Sequence, residues 1–305
     1  MGTTGTSTTT APTAPPTGTL GHVTRTYHAF PGAQYALPSD DLELQRHHDC
    51  LKRLFKNKLV WAPVDLDNND KVLDSGAGTG CWVLDVAASV ARSVSFVGID
   101  IATRLFPTNA PKNTEFRQES VVRLPDDWND TFSLVNQRFL MMGLRTSEWP
   151  IAMREIYRVL RPGGWVQLGE GYLYIEGENP DKPCMEKLVS ITRRMVESRD
   201  LFIDCARSMP QMLEEAGFVD IQCASEVQCM GSWGGDLGVT FREIHTDIWR
   251  GLKQPVLKAD GFGIVASGEE YDALVDGVIK EWEEIPGTGT PHIVHWARKP
   301  AGAVI

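Results

Sequence analysis

Residues 72–80 read Val-Leu-Asp-Ser-Gly-Ala-Gly-Thr-Gly, an apolar run closed by Asp74 and followed by Gly76, Gly78 and Gly80. A strand that ends in so little side chain leaves bare backbone for a ligand carrying ribose, phosphate or a small polar end. The dinucleotide fingerprint G-x-G-x-x-G is excluded by register, because its third glycine falls on Cys81. Asp74, placed directly before the loop, would repel a pyrophosphate and instead accept hydrogen bonds from an ammonium group. The helix N-terminus that follows attracts a carboxylate. A phosphate-free nucleoside with an amino-acid end satisfies both features.

From Pro63 onward strand and helix patterns alternate. Strands are expected at 71–74, 94–101, 114–120, 132–135 and 165–168, with helices at 79–90 and 148–160 and a turn at Pro162-Gly163-Gly164. Further helices are expected at 182–199 and 210–216, and further strands at 219–227 and 292–298. This order implies an α/β fold, a doubly wound, mostly parallel seven-stranded sheet. Residues 230–290 form an insertion with helices at 239–252 and 269–284. A helix over 39–56, with Asp40 and Glu43 in capping-box spacing, braces the domain from its N-terminal side. The expected organisation is a Thr/Pro/Gly-rich flexible leader at 1–30 and one domain at 31–300, whose N-terminal helix and insertion form a substrate cap.

Composition narrows the partners. A formal net charge of -10 over 305 residues argues against a phosphate-binding surface, so no nucleic-acid partner is expected. No apolar stretch reaches the about 18 residues a membrane span requires, and the N-terminus lacks the regions of a signal peptide. The six cysteines form no C-x-x-C pair, which indicates reduced thiols and a cytoplasmic protein without metal. Residues 1–6 match the loose myristoylation formula, but no polybasic segment supplies a second membrane signal, so no membrane partner is expected.

Asp100 closes the strand Ser95-Phe96-Val97-Gly98-Ile99. A carboxylate at the tip of the strand next to the glycine loop can accept both ribose hydroxyls. The ordered blocks VLDSGAGTG, FVGID, FRQESVVRLP, FSLVNQRFL and REIYRVLRPGGWVQLGE resemble class I S-adenosylmethionine-dependent methyltransferases. The stretch YALPSDDLELQRHHDCLKRLF and the closing RKP are most similar to the fungal LaeA-like group. The resemblance covers residues 35–300 and implies S-adenosyl-L-methionine as cofactor and a Rossmann-like sheet. It further implies that Asp74, Gly76, Ala77, Gly78 and Gly80 hold the methionine part, that Asp100 holds the ribose, and that Ile101 lies beside the adenine. Ser120 and Val121 take the place of the adenine-side loop, Asn136, Gln137 and Arg138 that of the junction with the acceptor, and Tyr35 closes over the cofactor. Ser120 and Ser133 stand where the family often carries aspartate, and Asn136 where this group often carries histidine. Glu119 is expected to face away from Ser120 by strand parity.

Methyl transfer needs alignment, exclusion of water and, for some acceptors, removal of a proton. His47 on the N-terminal helix and His245 in the insertion are the general-base candidates. Met141 and Trp233 are the candidates for an apolar acceptor pocket, Trp233 because Gly231, Gly234 and Gly235 place it on an irregular loop. The expected activity is methyl transfer to oxygen or nitrogen of a small secondary metabolite. The alternatives are a LaeA-like regulatory protein acting in a nuclear complex, and a protein that uses the bound sulfonium only to stabilise charge during a rearrangement.

Overall fold

The computed structural model describes residues 41–67, 69–172 and 180–302, with side chains of the first helix from residue 43 onward. Tyr35, Asp40, the expected leader and the myristoylation pattern lie outside the described residues. Seven strands form one sheet in the order β3-β2-β1-β4-β5-β7-β6. They are β1 Lys71–Ser75, β2 Ser95–Asp100, β3 Thr114–Gln118, β4 Phe132–Arg138, β5 Leu160–Gly171, β6 Val219–Cys229 and β7 Gly289–Arg298. The pairs from β3 to β5 are parallel, and β7 runs antiparallel between β5 and β6. This is the doubly wound sheet expected from the alternating pattern. The chain reverses its direction of winding at β1, so the glycine loop leaves the sheet at the topological switch point, where ligands bind in open α/β sheets.

Strand alternation sends neighbouring residues to opposite faces. Val72, Phe96 and Leu134 pack on one face against Trp82, Val83 and Val86 of α2 (Cys81–Ser89). Leu73 and Val135 pack on the other with Trp149, Met153 and Ile156 of α3 (Trp149–Val159) and Leu213 of α5 (Cys205–Glu215). β4 is buried through Val135 and on to Gln137, the pattern of a central strand covered on both faces.

A third apolar cluster ties together the helices outside the sheet. It joins Leu51 of α1 (Asp41–Leu54), Met185 and Ile191 of α4 (Pro183–Ser198), Phe241 and Trp249 of α6 (Gly235–Gly251), Val256 of α7 (Lys253–Lys258), and Tyr271 and Trp282 of α8 (Gly268–Glu284). The expected insertion helices are therefore present. The cluster also recruits α4, which precedes the insertion, and α7, which the sequence pattern did not indicate.

Three boundaries move for physical reasons. β3 stops at Gln118, two residues early, and Ser120 turns into a bridge with Arg123. β5 begins at Leu160 and absorbs the expected Pro-Gly-Gly turn as an irregularity, pairing Phe132 with Leu160 and Leu134 with Trp165. Gly163 adopts φ +79° there and donates its N–H to the Lys299 carbonyl at 3.0 Å. α5 begins at Cys205 and carries Pro210 in its interior instead of at its start.

Candidate active site

The loop after β1 is a sequence of left-handed turns. Gly76, Gly78 and Gly80 sit at φ +71°, +54° and +73°. The loop is tied to β2 by Ala77 N–H donating to the Ile99 carbonyl at 2.8 Å and Gly78 N–H donating to Asp100 Oδ2 at 3.0 Å. A Cβ on Gly80 would lie 2.6 Å from Phe116 Cζ, and one on Gly76 would lie 2.9 Å from Leu140 Cδ2. Backbone thus fills space where no side chain fits, and above it opens a cavity of about 410 Å³.

Asp74, Gly76, Ala77, Gly78, Asp100, Ile101, Ser120, Val121 and Arg138 line this cavity. Gly80 lies just under the wall, between Thr79 and Cys81, which do line it. Asn136 and Gln137 depart from the expectation: both are buried in β4, one layer beneath the cavity. Asn136 donates to Asp74 Oδ1 at 2.6 Å and accepts from Gln167 at 2.8 Å, while Ser75 donates to Gln137 at 3.2 Å. They anchor the floor because residues deep in a central strand have no route to the surface. Burial pushes the Asp74 carboxyl up to about 6, opposed by the Arg138 charge and the Asn136 hydrogen bond. Glu119 shares the cavity wall with Ser120, contrary to strand parity, because β3 has already ended.

A second, smaller chamber of about 160 Å³ lies between α1, α6 and the turn after β4. It shares Leu44, His47 and Phe139 with the first cavity, so the two meet at α1. His47 and His245 both face it, their ring centroids 6.5 Å apart. His245 Nε2 lies 3.4 Å from Gln228 Oε1, whereas His47 Nε2 is buried with no hydrogen-bond partner. Burial lowers His47 to about 4 and His245 to about 3, so both are neutral at physiological pH. Met141 lines the chamber. Trp233 does not: its indole N–H is held by the Trp282 carbonyl at 2.9 Å, and the glycine at 231 exists to let that ring pack, since a Cβ there would lie 2.5 Å from Trp233 Nε1.

Residues 72–164 match the methyltransferase domain family. N-methyltransferase sirN of Leptosphaeria maculans is 31% identical over 279 residues, covering 89% of this chain and 97% of that protein. N-methyltransferase gliN of Aspergillus fumigatus is 29% identical, covering 87% and 96%. N-methyltransferase verN of Clonostachys rogersoniana is 28% identical, covering 87% and 93%. The chain belongs to the methyltransferase family.

The enzyme uses S-adenosylmethionine, and its cavity fits that group. The glycine cradle admits the methionine part against bare backbone. Asp100 spends one oxygen on Gly78 N–H and the other on Ala102 N–H at 2.9 Å, each retaining a lone pair for a ribose hydroxyl. A volume of about 410 Å³ lies in the range of cofactor pockets.

One residue of the enzyme's second chamber had no signal in the sequence. Glu170, at the end of β5, accepts from Leu140 N–H at 2.7 Å and Met141 N–H at 3.3 Å. These bonds fix the turn after β4, in which Phe139 takes φ +59°, a left-handed conformation that costs a bulky residue strain. Burial raises the Glu170 carboxyl to about 8, the two N–H groups opposing that shift. Among the described residues no cluster of His, Cys, Asp and Glu could hold a metal ion, and no helix is long and apolar enough to cross a membrane.

Proposed function

We propose that the enzyme methylates a nitrogen of a small metabolite held in the chamber beneath the cap, with α1 and the 230–290 insertion enclosing it. The observation that carries this reading is the shared wall of Leu44, His47 and Phe139 between the cofactor cavity and an apolar chamber. Nitrogen as the acceptor atom is supported by the N-methyltransferases sirN, gliN, verN and tcpN, which this chain resembles over most of its length.

S-adenosylmethionine, when bound, supplies a methyl group on a positively charged sulfur. The chain's own residues then have three tasks. Asp74, Asp100 and the glycine loop hold the donor, with Ser120 and Val121 flanking its adenine end. The cap excludes water, which keeps an acceptor lone pair unsolvated and directed. His47 and His245, neutral because burial denies them a proton, present lone pairs that can hold or receive a proton from the acceptor. A weakly basic imidazole suits an acceptor nitrogen that enters uncharged. Met141 supplies apolar wall.

A LaeA-like subgroup belongs to the same proposal, on the residues flanking the core, as does a cytoplasmic location without nucleic-acid partner, supported by six unpaired cysteines and the net charge of -10. The test is incubation of purified protein with methyl-labelled S-adenosylmethionine and a fungal metabolite extract. Label in a small molecule, on nitrogen by mass spectrometry, is the expected result. Label only in protein, or in neither fraction, would favour the regulatory alternative.

A further inference from the structure

Arg138 ends β4 and lines the cofactor cavity beside Asp74 and the glycine loop. Its position is built. The Ser75–Gln137 register pair sets Arg138 level with the start of the loop. Gly169 opposite it on β5 gives its stem room, since a Cβ there would lie 3.2 Å from Arg138 Cγ. Among the described residues the guanidinium makes one hydrogen bond, from Nη2 to His48 Nδ1 at 3.3 Å, and has no carboxylate partner. Most other cavity-lining charge is acidic: Asp74, Asp100, Glu119 and Glu148. A fork of donors with most of its capacity free, beside a carboxylate, is complementary to a zwitterion.

The imidazole that holds the guanidinium is itself held. His48 is 2% exposed. Its Nε2–H donates to Asp85 Oδ2 at 2.9 Å, and that carboxylate also accepts from Lys52 Nζ at 2.5 Å. With Nε2 carrying the proton, Nδ1 presents a lone pair to Arg138. Burial and the Arg138 charge both lower the His48 pKa, which keeps that lone pair free. His48 and Lys52 belong to α1 and Asp85 to α2, so the relay joins the cap helix to the helix that follows the glycine loop.

We propose that Arg138 binds the α-carboxylate of the cofactor's amino-acid end, and that α1 positions it through His48. The inference rests on S-adenosylmethionine being the ligand of this cavity. Arg138 is the contacting group; His48 and Asp85 are positioning residues.

The test is calorimetric binding of S-adenosylhomocysteine and of its decarboxylated analogue, which keeps the amine and lacks only the carboxylate. Wild-type protein is expected to prefer the carboxylate form by about ten- to a hundredfold, the worth of one or two charge-assisted hydrogen bonds. Arg138→Gln should collapse that ratio to near one while leaving affinity for the analogue within about twofold, and Arg138→Lys should keep a large part of it. His48→Ala should reduce the ratio about fivefold, and His48→Gln, which can accept from Arg138 and donate to Asp85, should restore it. A ratio unchanged in Arg138→Gln, or both ligands weakened equally, overturns the proposal. Equal loss in His48→Ala and His48→Gln overturns the positioning role. Binding of neither ligand to the wild type overturns the cofactor reading and this inference together.

Discussion

Gly80 shows how strictly the loop limits its residues. It sits at φ +73°, and a Cβ would lie 2.6 Å from the Phe116 ring, so two penalties fall on one substitution. Left-handed backbone costs a non-glycine residue about 1 kcal/mol or more, and displacing a packed aromatic adds to it. Gly80→Ala is expected to weaken S-adenosylhomocysteine binding at least tenfold, measured by calorimetry, and to lower the melting temperature by several degrees. Unchanged affinity would mean that the loop is not the cradle. That Asp74, Gly76, Gly78 and Asp100 line one cavity was legible in sequence because the arrangement is local: a strand, its closing acid and its turn lie in one stretch, with the next strand's tip beside them. Glu170 was not, since its partners Leu140 and Met141 lie about 30 positions earlier and are backbone groups that any sequence would offer. Trp233 misled for a related reason. Glycines mark close approach, and here the approach is between the tryptophan and its own loop and not between protein and ligand.

At the scale of elements, α5 is instructive. A proline is tolerated in the first turn of a helix and costs about 3 kcal/mol in its interior, so a helix start at Pro210 is the natural reading of the sequence. The helix instead begins at Cys205, because Cys205 and Met209 bury fully in the apolar cluster shared with α3, and Ala206 is fully buried as well. Tertiary packing outweighs the missing N–H and the crowding of the Ala206 carbonyl. Pro210→Ala is therefore expected to stabilise the fold by about 1–3 kcal/mol and to leave S-adenosylhomocysteine affinity unchanged, read by thermal unfolding and calorimetry. A drop in melting temperature would show that the proline is needed for the bend of the chain. α7 escaped notice for the opposite reason: six residues, Lys253–Lys258, are too few to display a helical period. The strands were easier, since their apolar runs flank recognisable glycine and proline turns.

Across the whole molecule, buried ionisable groups set how stability varies with pH. Burial lowers His47 to about 4, His245 to about 3 and His295 to about 4, and lowers His48 and His292 as well. Below their ordinary value of 6.5 the unfolded chain binds more of these protons than the folded chain does, so all five histidines make stability rise with pH up to about 6.5. Asp74 and Glu170 act in the other direction. Their folded carboxyls, raised to about 6 and about 8, keep protons the unfolded chain has lost, so they make stability fall across those windows. Between pH 4.5 and 6 His47, His245 and His295 alone outnumber the two carboxyls, and the net slope is upward. Above about 6.5 the histidine contribution is complete and Glu170 alone remains, so the slope turns gently downward toward pH 8. The melting temperature is expected to climb from pH 4.5, peak near 6.5 to 7 and decline slightly by pH 8, measured by scanning calorimetry in low-salt buffers. Glu170→Gln, which still offers Leu140 N–H a carbonyl acceptor, should flatten the decline above pH 6.5 while leaving the acid limb intact. A maximum at pH 5, or an alkaline decline that persists in Glu170→Gln, would contradict the burial of these ionisable groups in the folded chain.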